Sequence, residues 1–146
     1  MLNQGLYYLS KEKETTGYSH QFGWIHAFAH GGDLLTEVIC HPRFPKSDIA
    51  EAFEIIGKIF KRVEIRFTND EDWRLARAFY EPILRGKIEP SLLTAWLQTV
   101  EFPLKEANDF HKFSNFRSCL LEIYLQLDCH KLLQDDLKEA IQSFQY

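Results

Sequence analysis

The 146-residue chain is 45% hydrophobic, 26% charged and 14% aromatic, a balance that supports one compact core and excludes low-complexity and disordered classes. Its 17 basic against 21 acidic residues leave a net charge of -4, which excludes a general electrostatic footprint for nucleic acid. One helical domain over residues 1–146 is expected.

The three cysteines, Cys40, Cys119 and Cys129, cannot all pair with one another and lack the close spacing of a disulfide scaffold, so a cytoplasmic location is expected. Residues 1–10 carry no basic leader followed by an apolar run, and no segment is apolar for long enough to cross a bilayer. Neither secretion nor a membrane span is expected.

Apolar residues recur at three- and four-residue spacing almost throughout, which predicts an all-α fold. In chain order the helices fall at Gly5–Lys11, His20–His41, Ser47–Ile65, Asp70–Arg85, Ser91–Phe102, Ala107–Leu127 and His130–Phe144. Pro42 and Pro45 end the second, and Ser47 is a suitable cap for the third. Thr68 and Glu71 have capping-box spacing, and Asp70, Glu71 and Asp72 suit the positive end of the helix dipole. Pro82 removes one backbone bond near the end of that helix, and Gly86 is its expected stop. The short connections favour antiparallel helical hairpins in a layered or HEAT/armadillo-like αα array. His26, His30, Asp33 and Glu37 also share the offsets of Asp70, Arg74, Arg77 and Glu81, a shift of 44 residues within the period of about 40–47 typical of such repeats. Offsets of this kind also mark the polar face of any amphipathic helix.

The most informative segment is Phe22–Leu35. On one continuous helix, His26, His30, Asp33 and Glu37 share a stripe, and Trp24, Phe28, Leu35, Val38 and Ile39 lie opposite. His26 and His30, one turn apart, then aim two imidazoles at a common point. Asp33 adds an oxygen ligand or fixes a histidine tautomer, which suits zinc or another divalent metal. Asp33 or Glu37 is the candidate base for a metal-bound water, but the Glu of the zinc-protease motif is replaced by Ala27. The plainer explanation is a solvated stripe, or histidines bonded to neighbouring helices. Gly31 and Gly32 cost about 2 kcal/mol relative to alanines inside a helix, so they require either a close helix contact or a break that leaves Asp33 as a cap. Trp73, Trp96, Phe110, Phe113 and Phe116 are expected in the core. The pairs Cys40–His41 and Cys129–His130 lack the spacing of a structural zinc site.

The run Gly-Trp-Ile-His-Ala-Phe-Ala-His-Gly-Gly-Asp-Leu-Leu from Gly23 to Leu35 resembles the core motif of the bacterial domain of unknown function 2785 family. Further matching stretches are Phe67-Thr68-Asn69-Asp70-Glu71-Asp72-Trp73-Arg74-Leu75-Ala76, Leu84-Arg85-Gly86 and Leu93-Thr94-Ala95-Trp96-Leu97, so the resemblance covers Leu9 to Val100. It implies a bacterial helical protein without an assigned activity, and it carries over no catalytic residue. Members of that family are usually longer at the N-terminus, so a truncated form is expected, with Leu6, Tyr7 and Leu9 covered from elsewhere, such as a second subunit. At Thr15-Thr16-Gly17 an acidic residue and an arginine would be commoner before the glycine.

The expected function is an interaction or small-ligand binding module with a polar site at His26, His30 and Asp33, joined by Glu71 and Arg74. No cofactor is established, and the partner is a protein or a second copy of the chain. One alternative is a metal-dependent hydrolase in which His26, His30 and Asp33 hold the ion, Glu71 approaches from another helix and Arg74 holds an anionic substrate group. A purely structural or oligomer-forming protein is the other.

Overall fold

Most of the amphipathic runs are helices in the computed structural model, which describes residues 2–145. The elements are α1 (Leu2–Lys11), a hairpin of β1 (Tyr18–Ser19) and β2 (Gly23–Trp24), α2 (Ala27–Cys40), a short 3-10 turn (Lys46–Asp48), α3 (Ile49–Arg62), α4 (Glu71–Leu84), α5 (Pro90–Leu97), α6 (Ala107–Cys129) and α7 (Asp135–Gln142). The fold is all-α apart from that hairpin, in which Tyr18 pairs with Trp24 and Ser19 with Gly23.

Helix α3 shows how the sequence writes the packing. Ile49, Ala52, Phe53, Ile56, Ile59 and Phe60 recur at helical spacing and are all buried. Phe53 lies 4.9 Å from Phe79 of α4, which stacks 5.0 Å from Trp96 of α5, which in turn meets Phe116 of α6 at 6.2 Å. Gly57 leaves room for the Trp96 indole against α3, and Trp96 Nε1 donates to Glu54 Oε2 at 3.2 Å. One apolar cluster runs from Leu6 to Ile141. Leu6 and Leu9 are buried inside it, so this chain covers them itself, while Tyr7 stays exposed.

Helices α2, α4 and α6 lie side by side, and α1, α3, α5 and α7 form a second neighbouring series. Contacts along α2 and α4 advance together: Gly32 meets Arg74, Glu37 meets Arg85, and the Ile39 and His41 carbonyls both accept from Lys87 Nζ at 2.6 Å. The two helices therefore run parallel. Arg62, at the end of α3, donates to the Leu9, Ser10 and Glu12 carbonyls and caps the end of α1.

Three local expectations are corrected. The predicted helix His20–His41 begins only at Ala27. Gly23 (φ +76) completes a tight hairpin, and the Ile25 amide donates to the Gly17 carbonyl at 2.9 Å, so the chain turns before it coils. The capping box expected at Thr68 does not form, because Asp70 precedes α4 in the left-handed region (φ 64) and Glu71 Oε2 accepts from the Asn69 amide at 2.9 Å. Glu106 and Asp109 make the reciprocal cap instead, at α6. Helix α7 starts at Asp135 rather than His130, because α6 ends in a Schellman motif with Lys131 left-handed (φ 58) and the Leu132 amide on the Leu127 carbonyl at 2.8 Å. The same motif, with Gly86 at φ +69, stops α4 where the sequence predicts.

Candidate functional site

The double glycine of α2 stays helical. A Cβ on Gly32 would sit 2.8 Å from the Arg74 carbonyl oxygen, and one on Gly31 would meet Leu9 Cδ1 at 2.5 Å. The first contact brings the α2 and α4 backbones together and sets Asp33 opposite two arginines. Arg74 Nε donates to Asp33 Oδ1 at 3.0 Å, Arg74 Nη2 to Oδ2, and Arg77 Nη1 to Oδ1 at 2.7 Å. Arg77 also faces Glu81 at 3.7 Å, and Arg85 bridges Glu81 at 3.1 Å and Glu37 at 2.9 Å. Three carboxylates and three guanidiniums thus alternate across the two helices.

Burial pushes the Asp33 carboxyl up, but the hydrogen bonds and charges of Arg74 and Arg77 together outweigh it and hold the group below its ordinary value. Its stabilising contribution is therefore present in full above the unfolded value of about 3.9 and is lost as pH falls through the lower folded value. Asp33→Asn is expected to cost about 1–2 kcal/mol at pH 7, since both arginine partners are partly exposed. Urea unfolding of wild type and variant at pH 7 and at strongly acid pH checks this, and the deficit should vanish in acid.

The histidines lie at the other end of α2. His26 is the residue before the helix, in the left-handed region (φ 45), and its amide reaches the Thr16 and Gly17 carbonyls at 3.2 and 3.3 Å. Its ring packs 4.7 Å from Trp24, and His30 follows with its ring centre 6.3 Å from that of His26. Trp24 crosses the hairpin to Tyr18 at 5.1 Å, and Tyr18 meets His20 at 5.7 Å. Five rings form a connected strip. Trp24 is 63% exposed and Tyr18 50%, with Phe22 at 73% on the same hairpin. His26 Nε2 is buried and has no hydrogen-bond partner in the protein.

Of the expected site residues, His26 and His30 come together, and Asp33 and Arg74 come together, but the second pair is joined to itself. Glu71 is buried and turned back onto its own loop through Asn69. Among the described residues, no three His, Cys, Asp or Glu side chains gather into one group that could hold an ion. Trp24 is not on an apolar helix face, because it stands on the hairpin. Trp73 and Phe110 are half-exposed rather than core, with Trp73 Nε1 donating to Ser118 Oγ at 3.2 Å, while Trp96, Phe113 and Phe116 are buried as expected. Sequence reasoning missed Tyr18 and His20, although Gly17 and Gly23 bracket them as a hairpin would require. It also missed Arg77 as the second partner of Asp33.

The family model described as a protein of unknown function (DUF2785) matches residues 1–125. The chain belongs to that family. The matched span contains the hairpin, α2, the charged ladder with α4 and most of α6, and it ends before α7. No curated protein and no solved structure matches the chain. Among the described residues, no helix is long and apolar enough to cross a membrane.

Proposed function

We propose that the protein is an interaction or small-ligand binding module whose recognition surface is the ring strip of the hairpin and the start of α2. The observation that carries this reading is the exposure of Phe22, Trp24 and Tyr18 on a short hairpin beside His26 and His30. Large aromatic side chains are costly to leave in water, and a group of them rimmed by polar residues is characteristic of binding surfaces. Asp33, Arg74 and Arg77 hold the helix beneath the strip and do not present a free charge to a ligand. A hydrolytic centre on His26, His30 and Asp33 lacks a free third ligand in this arrangement.

The proposal includes a HEAT- or armadillo-like array. Parallel α2 and α4, the paired helix series, and the left-handed residues His26 and Asp70 at equivalent places 44 residues apart support it. A bacterial cytoplasmic setting fits three unpaired cysteines.

Protein-observed NMR with a panel of planar aromatic fragments and short peptides tests the reading. Shifts confined to Tyr18, Trp24, His26 and His30, and abolished in Trp24→Ala, are the expected result. No shifts at millimolar probe, or shifts confined to the α6–α7 cleft lined by Leu121, Tyr124, Ile141 and Phe144, would overturn it.

A further inference from the structure

We propose that the outer face of α6 is a self-association surface, on which a second copy of this chain docks its own α6 antiparallel about a two-fold axis. The face lies on the far side of α4 from α2, so it is separate from the ring strip of the hairpin and goes beyond that reading. Helix α6 is apolar on two sides. Phe113, Phe116, Leu120, Ile123 and Leu127 enter the core, whereas Leu121 and Leu125 stand 59% and 54% exposed. Beside them runs a cleft of about 190 Å3, lined by Leu120, Leu121 and Tyr124 of α6 and by Ile141 and Phe144 in and just after α7. That volume is below the roughly 300–1,000 Å3 of small-molecule pockets and suits an inserted side chain.

The charges choose the occupant. Arg117, Leu121, Tyr124 and Asp128 follow one another at offsets of four, three and four, the spacing of a coiled-coil seam, and read cation, apolar, apolar, anion. Such a line is complementary to its own copy only when the copy is reversed. With the two-fold axis between Glu122 and Ile123, Arg117 of each copy faces Asp128 of the other, and Leu121 faces Tyr124 beside the cleft that receives it. A parallel pairing sets like charges against each other. Within α6 alone Asp128 is ill placed, being an exposed carboxylate in the last turn, where the helix dipole disfavours negative charge. The apolar contact supplies the attraction, and the ion pairs at the rim set its direction.

Analytical ultracentrifugation of the full chain at up to about 1 mM tests this, because one helix pair is small beside the roughly 1,200–2,000 Å2 of a stable complex and the dimer is a weak one. The expected result is a reversible monomer–dimer equilibrium that Leu121→Glu weakens at least about tenfold. Arg117→Asp and Asp128→Arg each weaken it alone, since each sets like charges across both contacts. Mixing these two variants restores a heterodimer, with opposite charges at both contacts. Leu121 and Asp128 are exposed, so their variants stay folded and keep the test decisive even where Arg117→Asp disturbs the helix, which circular dichroism reports. A protein that stays monomeric at the highest concentration, a dimer indifferent to Leu121→Glu or to Asp128→Arg, or a mixture of folded charge variants that gains nothing over either alone would overturn the proposal.

Discussion

Replacing Asn115 with alanine is expected to destabilise the protein by about 2–4 kcal/mol. Asn115 is fully buried on α6, and its amide serves the loop before α4 from both ends. Its Oδ1 accepts from the Phe67 amide at 2.9 Å and from Arg66 Nη1 at 2.6 Å, while Nδ2 donates to the Ile65 carbonyl at 2.8 Å. Truncation leaves the buried Phe67 amide unpaired, removes the anchor of Arg66 and opens a cavity. Asn115→Leu fills most of the volume but restores neither the Phe67 nor the Ile65 partner, so it should remain at least half as costly. Denaturant midpoints of the two variants check this, and wild-type stability in the leucine variant would refute the hydrogen-bonding account.

The second large effect is at Gly32, where alanine is expected to cost about 1–3 kcal/mol despite its better helix propensity of about 1 kcal/mol. The added Cβ would stand 2.8 Å from the Arg74 carbonyl oxygen, and backbone cannot give way unless α2 and α4 separate. Separation would also stretch the Asp33 pairs. Gly31→Ala presents the contrasting case, since its close neighbour is the Leu9 Cδ1 methyl at the end of a flexible side chain. That variant should lie within about 1 kcal/mol of wild type, propensity offsetting the local shift. Thermal unfolding of the two adjacent substitutions measures the difference directly.

Much of the helical frame is legible from periodicity and punctuation. The buried stripe of α3, the bounds of α4, the start of α6 and the stop at Gly86 all follow from apolar spacing and cap chemistry. The glycine pair requires either a close helix contact or a break, and the structure takes the first. The beginning of α2 is not legible, because the hairpin strands are two residues each, too short for an alternating pattern to show. Once His20–Trp24 is read as helix, Trp24 falls on an apolar face, whereas the turn at Gly23 lifts it into solvent. Asp33 and Arg74 are correctly grouped by the sequence but given to a ligand. Which charges neutralise each other depends on the approach of α2 and α4, and that is a tertiary fact. Trp73 and Phe110 are exposed because they lie on the outer faces of α4 and α6, in line with Arg77 and Leu121 rather than with the buried stripes.

The long-range side-chain hydrogen bonds follow one ruler. Asp33 reaches Arg74 across 41 residues, Trp73 reaches Ser118 across 45, Lys87 reaches Ile39 across 48, and Arg62 reaches Leu9 across 53. Each ties a stretch of chain to the stretch that comes next. Amide exchange should therefore be slowest around α4, the helix packed between α2 and α6, and fastest at the outer edges.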